Sequence, residues 1–223
     1  MRRVAVLVVL AAACAVVASP ASATNECKGL KVCVPIAGPW VLAMPGQVQY
    51  QLSCPKRFII GGLDAELSSR GIDVGFVGGL GSPVNPGITT SQSVIFLGRL
   101  LHGRDPAPTF RPHIGCIPAA GGGQRVPTAY HAFPPGKPST RELKQIAVRS
   151  GVHGATAACA KGERLVAATH AIGFRVTVPP TAALAHAVAV SQRISGGRVH
   201  LTIRAGPSTH AVVQVDLVCG VLP

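Results

Sequence analysis

Asp64 and Glu66 are the closest pair of carboxylates in this chain of 223 residues, which carries only eight Asp and Glu in all. Two residues apart on a strand, they project from one face and form an acidic pair. Hydrolysis of a glycosidic bond needs two carboxyls across a cleft, and spacing alone does not supply the cleft. Of the eight histidines, no two have the spacing of HExxH, and no CxxC occurs. His113-Ile114-Gly115-Cys116 comes nearest to a metal-ligand set, with Cys116 expected to be consumed by a disulfide. His200 and His210 fall on the outward phase of their stretches, while His186 shares an apolar phase and is expected to be partly buried. The pentapeptide GxSxG of a strained nucleophile turn is absent. Gly61-Gly62, after Phe58-Ile59-Ile60, lacks the further glycine or lysine of a phosphate loop. The stretch VGGLGSP at 77–83 fails the same test. A glycine pair inside a strand then marks a place where another backbone or a disulfide packs closely. No catalytic, metal-binding or cofactor-binding residue is assigned.

The elements around these residues begin with residues 1–23. Met1-Arg2-Arg3, an apolar run and Ala21-Ser22-Ala23 have the order of a secretory signal peptide with cleavage after Ala23. The run is about 15 residues, short of the ~20 that span a bilayer, so no membrane span is expected. Ala11-Ala12-Ala13-Cys14 offers the alternative of a lipoprotein box lipidated at Cys14. Ala11 stands where that box usually has leucine, however, and the chain stays apolar after Cys14. Six cysteines remain after cleavage: Cys27, Cys33, Cys54, Cys116, Cys159 and Cys219. In an exported chain this even number reads as three disulfides, with 15 pairings open. The formal net charge is +13, falling to +11 without Arg2 and Arg3. Such a protein outside the cell is drawn to polyanions. With one tryptophan and few other aromatic residues, a base-stacking surface specific for nucleic acid is not expected.

The chain reads as two copies of one unit. Cys54-Pro55-Lys56 leads through Phe58-Ile59-Ile60 to Gly61-Gly62, and Cys159-Ala160-Lys161 leads through Arg164-Leu165-Val166 to Ala167-Ala168. A closing cysteine follows at a similar distance in each, Cys116 and Cys219, on the phase of Phe110/Pro112/Ile114 and Val213/Val215/Leu217. Each unit is thus expected to be stapled across its ends, with Cys27 and Cys33 a local pair. Val48/Tyr50/Leu52, Ile72/Val74/Phe76, Phe174/Val176/Val178 and Val199/Leu201/Ile203 alternate with other residues as half-buried strands. Leu184/His186/Val188/Val190 favours a strand over a helix. Residues 81–91 read as a Gly/Pro loop. The predicted organisation is a signal peptide over 1–23, a first β unit over 24–117 including the Cys27/Cys33 segment, a Gly/Pro-rich linker over 118–140, and a second unit over 141–223. The fold class is all-β: two tandem, small, antiparallel sandwich-like units, each with its own disulfide.

Cys-Pro-Lys, an apolar strand ending in Gly-Gly, and a later closing cysteine resemble a two-cysteine β repeat of uncharacterised exported bacterial proteins, often actinobacterial. That repeat opens Cys-Pro-x-Gly. This chain has Arg57 at the glycine position of the first copy, and Ala160 for the proline of the second, where Gly162 is kept. The resemblance implies export and an all-β fold and brings no catalytic residues. The expected function is a non-enzymatic binding or structural module of the envelope or the extracellular medium. Its expected contact is an anionic cell-wall polymer or acidic glycan, through a cationic strand face of Arg198, His200 and Arg204. The alternative is a secreted hydrolase assembled from distant residues, which requires Asp64, Glu66 and a histidine to converge in one concave pocket.

Overall fold

Period-two patterning builds strands nearly throughout. A computed structural model describes residues 24–78, 92–102, 105–119 and 139–221. Residues 1–23, expected to be a signal peptide and including Cys14, the expected loop at 81–91 and most of the expected linker lie outside the described residues. The first half contributes β1 (Val34–Ala37), β2 (Trp40–Leu42), β3 (Gln47–Ser53), β4 (Phe58–Leu67), β5 (Ile72–Gly78), β6 (Ser93–Leu100) and β7 (Thr109–Pro118). The second contributes β8 (Ser139–Ala147), β9 (Gly151–Ala158), β10 (Glu163–Phe174), β11 (Val188–Ser195), β12 (Arg198–Ala205) and β13 (Ala211–Val221), with one short helix, α1 (Ala182–His186).

The two halves use the same strand pairings. In the first, β3, β6 and β5 make a three-stranded sheet, while β4 pairs with β7. In the second, β9, β12 and β11 make the corresponding sheet, and β10 pairs with β13. Val34 lies opposite Cys116, and Thr140 lies opposite Cys219. The register of the long antiparallel pair, β4–β7 or β10–β13, slips once in each half, between Ile60 and Gly62 and between Leu165 and Ala167, beside the closing cysteine. Disulfides join Cys54 to Cys116 and Cys159 to Cys219, and a third joins Cys27 to Cys33.

The halves also share a sheet. Strand β2 pairs with β7 on one side, Val41 opposite Phe110, and with β10 on the other, Phe174 opposite Trp40. The result is seven strands in the order β1-β7-β2-β10-β13-β8, with β4 on β7. Each three-stranded sheet encloses its own core against this sheet. Phe96, Phe110 and Ile114 centre one, and Val199, Leu201 and Val215 the other. A third cluster of Trp40, Ile172, Phe174 and Val188 fills the seam.

Two stretches depart from the alternation. The strand expected through Phe174/Val176/Val178 ends at Phe174, and Val178 is exposed, because Pro179-Pro180 offers no N–H to a ladder. The strand expected from Leu184 begins only at Val188. Alanines at 182, 183 and 185 favour the α1 turn, and the Thr181 side chain accepts from the Leu184 N–H as its cap. His186, expected to be partly buried, is therefore exposed at the end of α1. No helix among the described residues is long and apolar enough to cross a membrane.

Candidate functional site

Several places bring chemistry-bearing side chains together. The first is the outer face of the β9-β12-β11 sheet. Val199, Leu201 and Ile203 turn inward and are buried, so Arg198, His200, Thr202 and Arg204 turn outward. Arg198 and Arg204 are exposed and His200 is half-buried between Arg193 of β11 and Thr156 of β9, its register partners. Arg193 is exposed and belongs to the same face. The remaining outward positions are small or hydroxylic: Gly154, Thr156 and Ala158 on β9, Ala189, Ser191 and Ser195 on β11. Val152 completes the face, which includes no carboxylate. At about 3.3 Å per residue, Arg198 and Arg204 stand roughly 20 Å apart, with Arg193 one strand over, about 4.8 Å sideways. Arg193 was not singled out from the sequence. Its signal is the Gly196-Gly197 turn, which fixes a two-residue hairpin and sets Arg193 opposite His200.

The second place is the opposite of a solvated edge. Asp64 and Glu66 lie on β4 directly across from His113 and Arg111 of β7. His113 is 5% exposed, although its strand phase reads as outward, and Glu26 is 4% exposed. The covering element is the amino-terminal segment that Cys27–Cys33 closes. Asp64 Oδ2 accepts from the Asn25 N–H at 2.7 Å, and Glu26 lies over the sheet with Oε1 3.7 Å from His113 Nδ1. Glu66 Oε1 lies 3.6 Å from His113 Nε2, and Arg111 Nη1 is 3.9 Å from Glu66 Oε2. Burial pushes the imidazole below its ordinary pKa, more than Glu66 and Glu26 raise it. His113 Nε2 has no hydrogen-bond partner among the described residues. The glycines make the approach possible. A Cβ on Gly62 would stand 1.8 Å from the Glu26 carbonyl oxygen, and one on Gly115 would stand 2.1 Å from it. Close backbone packing, not a phosphate, is what Gly62 accommodates. Asp64, Glu66 and His113 do converge, but beneath a covering segment and not in a cleft.

The third place is a cleft of about 450 Å³ at the end of the β2–β10 seam. Pro39 precedes β2, Arg175 and Thr177 follow β10, Tyr50 and Leu52 come from β3, and Arg111 comes from β7. Arg111 is held by its Nε donating to the Gly38 carbonyl at 3.1 Å, while Arg175 is exposed. Burial pushes the Tyr50 phenol up to about 12, against a smaller lowering by Arg175. Tyr50 is thus a neutral hydroxyl beside a cation. Trp40, at the start of β2, is 4% exposed and packs in the seam core, out of reach of any ligand in this cleft.

A fourth cluster, Cys159, Glu163 and Cys219, has the proximity of a metal site, but both sulfurs are joined in a disulfide and offer no thiolate. Gln214 and Asp216, on the phase of β13 opposite to Val213, Val215 and Leu217, are also buried. Gln214 exchanges two hydrogen bonds with the Gln51 backbone, accepting from its N–H at 2.6 Å and donating to its carbonyl at 3.0 Å. Asp216 pairs with Arg141, which also donates to Gln49 Oε1 at 3.2 Å. Burial raises the Asp216 carboxyl, with Arg141 acting in the opposite direction. These glutamines and charges fasten β3 of one half to β13 and β8 of the other. No protein-family profile, curated protein or solved structure matches the chain.

Proposed function

We propose that this is an exported, non-enzymatic β protein, built from two copies of one stapled unit, that binds anionic polymer of the cell envelope or surroundings. The observation that carries this is the outer face of β9-β12-β11, where Arg193, Arg198, His200 and Arg204 stand among hydroxyl, alanine and glycine positions with no carboxylate. A three-stranded face suits an extended chain, and guanidiniums with no ion pair among the described residues suit its repeated carboxylates or phosphates by forked hydrogen bonding. Three disulfides agree with an oxidising, extracellular setting. The charged, apolar and small-residue order of residues 1–23 supports export, and the similarity of Cys54-Pro55-Lys56 and Cys159-Ala160-Lys161 to the exported bacterial repeat supports the same setting.

The test is co-sedimentation of the chain from Thr24 onward with isolated bacterial cell walls, at about 50 and 500 mM salt, where exposed charges are screened to different degrees. Binding at the lower salt that disappears at the higher one, and that disappears at both when Arg193, Arg198 and Arg204 are changed together to Gln, is expected. Wall binding that the triple change leaves intact would remove this face from the reading.

A further inference from the structure

We propose that the seam cleft is a separate site for a small organic monocarboxylate of the acidic-sugar class. The site is built from both halves and shares no residue with the arginine face. Its charge sets the ligand's charge. Arg175 is exposed at the cleft and has no carboxylate within ion-pairing distance among the described residues, whereas Arg111 is partly offset by Glu66 at 3.9 Å. That leaves roughly one net positive charge, which matches a single carboxylate better than a doubly charged phosphate. Two guanidiniums approaching one cleft, Arg111 from β7 and Arg175 from the segment after β10, offer a carboxylate forked donation.

The rest of the lining sets the ligand's body. Pro39 and Leu52 give apolar surface for C–H groups, while the Thr177 side chain and the hydroxyl of the otherwise buried Tyr50 can exchange hydrogen bonds with hydroxyls. Because the Tyr50 phenol is held protonated to about pH 12, it is a donor across the physiological range. A volume of about 450 Å³ lies within the usual range for small-molecule sites. Part of the lining is also held before any ligand arrives. Arg111 is anchored on the Gly38 carbonyl, and Gly173 lets Pro39 close on the seam, since a Cβ there would stand 2.5 Å from the proline ring.

Calorimetric titration of the chain from Thr24 onward with D-glucuronate, D-glucose and inorganic phosphate tests this. Saturable heat with glucuronate, and at least tenfold weaker binding of glucose and of phosphate, is expected. Arg175→Gln, at an exposed position that leaves the Arg111 anchor in place, should weaken glucuronate about tenfold or more. The triple arginine change on the outer face should leave glucuronate binding unaltered, which separates failure of this site from failure of that one. No heat with glucuronate, equal binding of glucose, phosphate binding as tight as glucuronate, or a titration unchanged in Arg175→Gln would each overturn the proposal.

Discussion

Arg57 holds a left-handed backbone, φ 69°, three residues after Cys54, and Gly162 holds φ 90° three residues after Cys159. The two turns are otherwise alike. Phe58 N–H donates to the Pro55 carbonyl and Glu163 N–H donates to the Ala160 carbonyl, each at 3.1 Å. A glycine enters this region without the clash between Cβ and carbonyl that a side chain incurs, a cost of about 1–2 kcal/mol, partly offset because glycine loses more freedom on folding. Arg57→Gly is therefore expected to stabilise the protein by about 0.5–1 kcal/mol, read from the urea midpoint. A lower midpoint would mean that the Arg57 side chain makes contacts worth more than the strain it carries. This position was legible beforehand only as a departure from a motif. That the departure carries strain follows from the backbone angle, which a residue type does not disclose.

The covering of β4 and β7 illustrates what alternation conceals at the scale of an element. Arg111, His113 and Gly115 alternate with Phe110, Pro112, Ile114 and Cys116, and period two assigns the first set to solvent. That assignment holds only while nothing lies over the sheet. Here residues 24–33 lie over it, from a part of the chain far away in sequence and with no periodicity of its own. The glycine pair carried half of the signal, since it indicated close packing, but not what packs. Gly62→Ala should displace the Glu26 backbone and so loosen the whole segment. The expected cost is about 1–3 kcal/mol, the range of overpacked sites. Amide exchange within residues 24–33 should quicken with it. Gly75→Ala is the control, because a Cβ there meets nothing within 4 Å. Unchanged exchange in Gly62→Ala, with stability equal to that of Gly75→Ala, would show that the segment does not depend on the glycine.

For the whole molecule, the two stapled units expected from the cysteine spacing have the matching pairings of β3 to β7 and β9 to β13, yet they are fused through one sheet. The fusion was not legible because its fasteners are residues that read as solvent-facing. Gln49 and Gln51 take the polar phase of β3, and Gln214 and Asp216 take the polar phase of β13. Gln49 meets Arg141, held by Asp216, and Gln214 meets the Gln51 backbone, only when the halves dock. Trp40, paired with Phe174 across the seam, makes the chain's single tryptophan a probe of that docking. Suppose the second staple is removed by changing Cys159 and Cys219 together to Ala. Opening a loop of 60 residues should cost about 4 kcal/mol in the chain-entropy account. If the seam couples the halves, that loss falls on the whole protein. Trp40 fluorescence and far-ultraviolet circular dichroism should then shift to lower denaturant together, in one transition. Trp40 should report the loss because its cluster draws Ile172, Phe174 and Val188 from the damaged half. A biphasic dichroism curve, with the first half melting where it did before, would mean that the seam is a contact between independent units.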